Sequence, residues 1–86
     1  MAELINIGFG NLVNTEKIAA IVTPDSAPAK RLVQRSRQKE SVVDATQGRK
    51  TRSILILEQG TIVLSALGPD TLAGRFHELV GRAEGE

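Results

Sequence analysis

Two neighbouring runs, Ile54-Leu55-Ile56-Leu57 and Ile62-Val63-Leu64, carry large apolar side chains at every position, with Gln59-Gly60 between them. An amphipathic helix would interleave polar residues at a 3.6 period, and a half-buried strand would alternate. Neither pattern is present. Short β-rich runs around a glycine-containing turn predict a hairpin, with Ser53 to Glu58 as one strand and Thr61 to Ala66 as its mate. Both faces of this hairpin are apolar, so each needs a cover. A chain of 86 residues predicts one small domain, residues 1–86. Its two helical segments leave one face of the hairpin bare by this reading. A second copy of the chain is then the economical cover, and self-association also helps a domain this small.

The other elements follow from spacing and punctuation. Leu4, Ile5 and Ile7 predict a short strand. Gly8-Phe9-Gly10-Asn11 predicts a bend with Phe9 buried. Ile18 to Val22, rich in β-branched residues and stopped by Pro24, predicts a strand with Lys17 at its start. Asp25 or Ser26 caps a helix that runs to about Gln38 and buries Ala29, Leu32, Val33 and Ser36. Pro28 has a structural role here: it fixes the first turn, where its missing N–H costs nothing. Ser41 to Ala45 predicts a strand. A last helix starts at Gly68-Pro69-Asp70-Thr71, carries Leu72, Phe76, Leu79 and Val80 as its apolar stripe, and ends at Gly81 before a frayed tail. These elements sum to an α+β fold, antiparallel strands with two helices.

Charge is concentrated in the middle. The formal net charge is +1, yet residues 30–52 hold eight cations against two anions, and the rest of the chain three against eight. A basic centre between acidic ends points to a polyanion as partner. The densest part is Asp44-Ala45-Thr46-Gln47-Gly48-Arg49-Lys50-Thr51-Arg52-Ser53. Gly48 permits a tight bend, and the apolar run after it anchors the segment. Arg49, Lys50 and Arg52, with the Thr51 and Ser53 hydroxyls beside them, suit phosphate: arginine binds it as a planar fork, lysine as a point charge. Charge alone equally fits a solvated turn. On the helix, Lys30, Arg31 and Arg35 are weaker candidates. A solvated helix back explains them more simply than a supplementary phosphate-facing surface. The only aromatic residues are Phe9 and Phe76, which favours a duplex backbone over a single strand needing several stacking rings.

Several function classes are excluded by composition. No cysteine is present, so disulfides and thiolate metal sites are absent. His77, the only histidine, stands beside Glu78 without further ligands, and no metal or cofactor site is expected. The residues around Gly48-Arg49-Lys50-Thr51 lack the spacing of a phosphate-binding loop, since Val43 stands where a glycine is needed. Gly8 and Gly10 lack the third glycine of a dinucleotide fingerprint, Val13 standing there instead. No nucleophile elbow or carboxylate pair is evident, so an enzyme with a small-molecule substrate is not expected. Nor is a secretory leader or a bilayer-crossing run of roughly 20 residues, so no membrane partner is expected.

Four segments carry a family resemblance: Leu4-Ile5-Asn6-Ile7-Gly8-Phe9-Gly10-Asn11; Ser26-Ala27-Pro28 with Lys30-Arg31; Asp44-Ala45-Thr46 with Gly48-Arg49 and Thr51-Arg52; and Ile62-Val63-Leu64-Ser65-Ala66. In register over nearly the whole chain, they resemble the RemA family of bacterial regulators of extracellular-matrix (biofilm) genes. The resemblance implies a LytTR-related domain, a ring-shaped homo-oligomer able to wrap duplex DNA, and a cytoplasmic, nucleoid-associated protein. It also implies DNA contacts at Lys17, Arg49, Lys50 and Arg52. Lys17 and Lys50 stand where arginine is familiar in the family, and Gln47 where tyrosine is. Charge is kept there, while the bidentate fork is lost at both lysines. The expected function is thus a sequence-tolerant, duplex-DNA-binding transcriptional regulator without enzymatic activity. An RNA-binding module, or a structural oligomeric scaffold whose cations meet an acidic protein partner, are the alternatives.

Overall fold

The computed structural model describes residues 3–84. Its centre is the expected hairpin, here β5 (Ser53–Leu57) and β6 (Ile62–Ser65), paired antiparallel with Ser53 opposite Ser65 and Ile56 opposite Ile62. Gly60, with φ of 96°, closes the connection between them. β3 (Ile18–Val22) adds antiparallel to β5, and β4 (Val42–Asp44) adds to β6, giving a four-stranded sheet in the order β3-β5-β6-β4.

The β4–β6 pairing is parallel, so the sheet is mixed where antiparallel strands were expected. The physical reason is the helix between β3 and β4. Helix α1 (Ala27–Gln38) leaves one end of the sheet and returns the chain to the other, so β3 and β4 run the same way at opposite edges. Ser26 caps this helix, its hydroxyl accepting from the Ala29 N–H at 3.2 Å, and Pro28 lies exposed in the first turn. Past the other end, Glu40 takes φ of 55° while the Ser41 N–H reaches back to the Ser36 carbonyl at 2.9 Å. That is a left-handed C-terminal stop built without glycine.

Period-2 alternation along the hairpin fills two cores. Ile54, Ile62 and Leu64 face α1 and pack with Ala29, flanked by Val22, Leu32, Val33, Val42 and Ile56. Leu55 and Val63 face the other way and pack with Ile5, Ile7, Ala45 and Leu72. The cover on that side is a separate antiparallel pair, β1 (Leu4–Asn6) with β2 (Leu12–Asn14), plus the first turn of helix α2 (Pro69–Glu84). The bare hairpin face expected from the sequence therefore does not exist: Ile54, Leu55, Ile62, Val63 and Leu64 are all at most 5 % exposed within one chain. The N-terminal stretch, read as a single strand, supplies a whole hairpin instead.

Helix α2 also departs from expectation. It continues through Gly81 to Glu84. A helical glycine costs only about 1 kcal/mol relative to alanine, and Arg82-Ala83-Glu84 are good helix formers. Of the expected stripe, Leu72 is fully buried whereas Phe76 is 45 % exposed. The side chains of Leu79 and Val80 lie outside the described residues. Arg75 ties the helix back, its guanidinium donating to the Asn6 carbonyl at 2.6 Å.

Candidate nucleic-acid interface

The basic segment joins β4 to β5 across the end of β6. Its two ends are fixed by backbone hydrogen bonds to that strand: the Ala45 N–H to the Leu64 carbonyl and the Arg52 N–H to the Ser65 carbonyl, both at 2.9 Å. Between these anchors the chain makes a tight turn. The Arg49 N–H donates to the Thr46 carbonyl at 3.1 Å, and both central residues have positive φ, Gln47 at 54° and Gly48 at 79°. Positive φ at both positions belongs to the primed turns, so Gly48 is required by the backbone. An Asx turn precedes it. The Asp44 carboxylate accepts from the Thr46 N–H at 2.9 Å and from the Thr46 hydroxyl at 2.6 Å. The hydroxyl bond, then the backbone bond, then the positive charge of Arg37 hold the Asp44 carboxyl below its usual pKa.

Arg49, Lys50 and Arg52 emerge from this fixed turn fully on the surface. They line one concavity together with Ala66. Lys50, Thr51 and Arg52 line a second with Thr23, Pro24, Asp25, Gly68 and Pro69, the residues that lead into the two helices. Helix starts expose unpaired N–H groups and the positive end of the helix dipole, so both helices add to the positive potential here, against the anions Asp25 and Asp70.

The expected site residues separate into groups. Lys30 shares a groove with Thr51, Pro24 and Arg37, which places it beside the loop. Arg31 and Arg35 line a different depression with Gln34 and Gln38, away from the loop residues. Lys17 is not brought to the loop at all. It ends a single 3-10 turn (Thr15–Lys17), and its carbonyl accepts from the Glu58 N–H at 2.9 Å. That is the far end of β5 from Arg52, a strand length of roughly 15 Å away. Ser53, expected as a phosphate-binding hydroxyl, is fully buried and donates to the Leu67 carbonyl at 2.6 Å. Pro28 is exposed in the first turn of α1.

Two residues join the site that sequence reasoning missed. Arg37 is one. Its signal was the spacing of seven from Lys30, two helical turns along the same side. Phe9 is the other. Expected in the core, it is 49 % exposed at the tip of the β1–β2 connection, with the Arg49 guanidinium carbon 5.9 Å from its ring centroid. The flanking glycines were the signal, since three consecutive residues here have positive φ: Gly8 at 111°, Phe9 at 53° and Gly10 at 78°.

Among the described residues, no group of three or more His, Cys, Asp or Glu side chains is placed to hold a metal ion, and no helix is long and apolar enough to cross a membrane. The arrangement is one of cations, backbone dipoles and one aromatic ring on a rigid frame. Such an arrangement suits an anionic partner.

Comparison with known proteins gives the family. Residues 4–76 match the family model described as RemA-like, extracellular matrix regulatory protein A-like. A protein of Dictyoglomus turgidum is 55 % identical over 74 residues, covering 86 % of this chain and 87 % of its own. One from Lachnoclostridium phytofermentans is 51 % identical over 78 residues, covering 91 % and 86 %. One from Trichormus variabilis is 49 % identical over 74 residues, covering 86 % and 84 %. All three are named "Putative regulatory protein". The match spans the sheet, the basic loop and helix α1, and the chain belongs to the RemA-like family.

Proposed function

We propose that this regulatory-family protein is a duplex-DNA-binding transcriptional regulator of extracellular-matrix (biofilm) genes, acting as a ring-shaped homo-oligomer around which DNA can wrap. The observation that carries the DNA-binding reading is the convergence of Arg49, Lys50 and Arg52 on one turn whose backbone is fixed at both ends. A preorganised cluster loses little entropy on meeting phosphate, and arginine forks suit phosphate oxygens. Lys30 and Arg37 extend the same face. The densest cations stand on a loop rather than on a helix, so specificity is assigned to DNA shape and bendability. The LytTR relationship of the fold rests on the sequence resemblance, as do the matrix genes as targets.

Self-association has different support from that expected. The hairpin faces are covered, but β3 and β4 are the outer strands of the sheet, and the large apolar residues Leu4, Leu12, Val43 and Phe76 are 45–57 % exposed. Ile18, Ala20, Ile21, Ala73 and Phe76 line an apolar groove beside β3. Apolar surface next to a free sheet edge is the kind that subunits cover. In a ring, each loop adds its contacts to the same polymer, and avidity exceeds any single contact. The test is a binding assay on duplex DNA over a range of salt, with structured RNA as competitor, beside a light-scattering mass. Binding that falls steeply with salt and resists RNA supports the reading. Preference for RNA, or no binding at low salt, replaces it with one of the two alternatives above.

A further inference from the structure

Exposed phenylalanine in left-handed backbone is costly twice over. A bulky residue at φ of 53° is strained, and half of an aromatic ring in water forfeits the stabilisation that burial would give. A flexible loop would relax both costs. This one is held by four hydrogen bonds. The Gly8 N–H donates to Asn6 Oδ1 at 2.7 Å, the Ile7 N–H to the Asn11 carbonyl at 2.9 Å, and the Asn11 N–H and side-chain amide to the Gly8 carbonyl at 3.0 and 2.9 Å. Below it, the Ser65 hydroxyl donates to the Ile7 carbonyl at 2.7 Å, which sets the loop on the same end of the sheet as the basic turn. Strain kept in place by such a frame, at the edge of a binding surface, is a sign of use.

What Phe9 stands beside identifies its use. Arg49 lies over its ring, and Lys50 and Arg52 continue the same surface. A partner that satisfies both kinds of group must alternate charge with apolar surface within a few ångströms. Duplex DNA does so: phosphates flank the sugars and base edges that form the groove walls, and apolar wedges enter such grooves in proteins that bend DNA. We propose that Phe9 is a DNA-contacting residue, an apolar wedge that packs on the sugar and base edges of the duplex while Arg49 holds the adjoining phosphate. This rests on the reading of the basic loop as a DNA interface and adds the second, uncharged half of that interface. It also supplies the shape-dependent discrimination that phosphate contacts alone lack, since inserting a ring is cheapest at deformable steps.

The chain has neither tryptophan nor tyrosine, so Phe9→Trp places a single fluorophore at the tip. On titration with a mixed-sequence duplex its emission should be quenched and shifted, with the light-scattering mass before DNA addition unchanged. Phe9→Ala should weaken binding by roughly fivefold or more, the low end of an aromatic contact with a base. Its salt dependence should stay as steep as the wild type's, because no phosphate contact is lost. Phe9→Gly should bind as weakly as Phe9→Ala yet unfold at a higher temperature, since glycine relieves the backbone strain. Wild-type affinity in Phe9→Ala overturns the proposal. So does a reduced mass in Phe9→Ala, which assigns the ring to a contact between copies of the chain. Absence of DNA binding by the wild type overturns the reading of the basic loop itself and the wedge with it.

Discussion

The Ser65 hydroxyl donates to the Ile7 carbonyl at 2.7 Å, joining residues 58 positions apart, and at the same time accepts the Leu67 N–H at 3.1 Å. Through this fully buried serine, the end of β6 holds the β1–β2 connection with Phe9. The neighbouring carbonyl of Ser65 holds the end of the basic loop at Arg52. One strand end therefore fixes both halves of the candidate interface.

Removing that hydroxyl leaves a buried carbonyl and a part-buried N–H without this partner. Ser65→Ala should destabilise the fold by about 1–3 kcal/mol. Urea unfolding at fixed protein concentration measures it, since any self-association makes stability concentration-dependent. A change of a few tenths of a kcal/mol would show that the loops find other anchors.

Glu40 follows α1 in the left-handed region at φ of 55°. Glycine has no side chain to clash there, so Glu40→Gly should stabilise by about 1 kcal/mol. Thermal unfolding tests this, and DNA affinity should not change, because Glu40 lies at the end of the sheet away from Arg49.

Asp44 sets an acid limit on the basic loop. Its folded pKa is depressed, chiefly by the Thr46 hydroxyl and N–H, so its stabilising contribution is present above the ordinary carboxylate pKa of about 4. That contribution is lost as pH falls through the lower, folded pKa. The melting temperature should thus fall between pH 5 and strongly acidic conditions, and Asp44→Asn should flatten part of that fall while leaving the neutral-pH curve nearly level. Parallel wild-type and variant curves would contradict the assignment.

Much of this was legible in the sequence. The two-sided hairpin, the Ser26 cap, the buried face of α1 and the bend at Gly48 each depend on local chemistry, and each is where the residues put it. The misses share a cause, which is tertiary placement. A run such as Val42-Val43-Asp44 does not encode whether its neighbour runs parallel. Phe9 looked buried because aromatic rings usually are. Glycines on both sides announced the bend but not the direction of the ring. Lys17 and Arg49 each sit beside a strand terminus, and only the antiparallel pairing of Ile18 with Leu57 reveals that these are opposite ends of the sheet.

That separation yields a graded prediction. Lys17→Ala should lower duplex affinity less than Arg49→Ala at the same salt, measured by fluorescence anisotropy of labelled DNA. An equal loss would show that neighbouring subunits bring the two ends of the sheet together on one duplex.

In the function proposed above, the cations of the turn neutralise DNA phosphates. The most direct measurement is the slope of log affinity against log salt for the wild type and Arg49→Ala on the same duplex, with the mass of each followed by light scattering. Log affinity should fall linearly by about 0.9 for each phosphate contact, with a shallower line and weaker binding for Arg49→Ala and the same mass for both. An unchanged slope in Arg49→Ala, or binding lost only because the assembly has come apart, would contradict it.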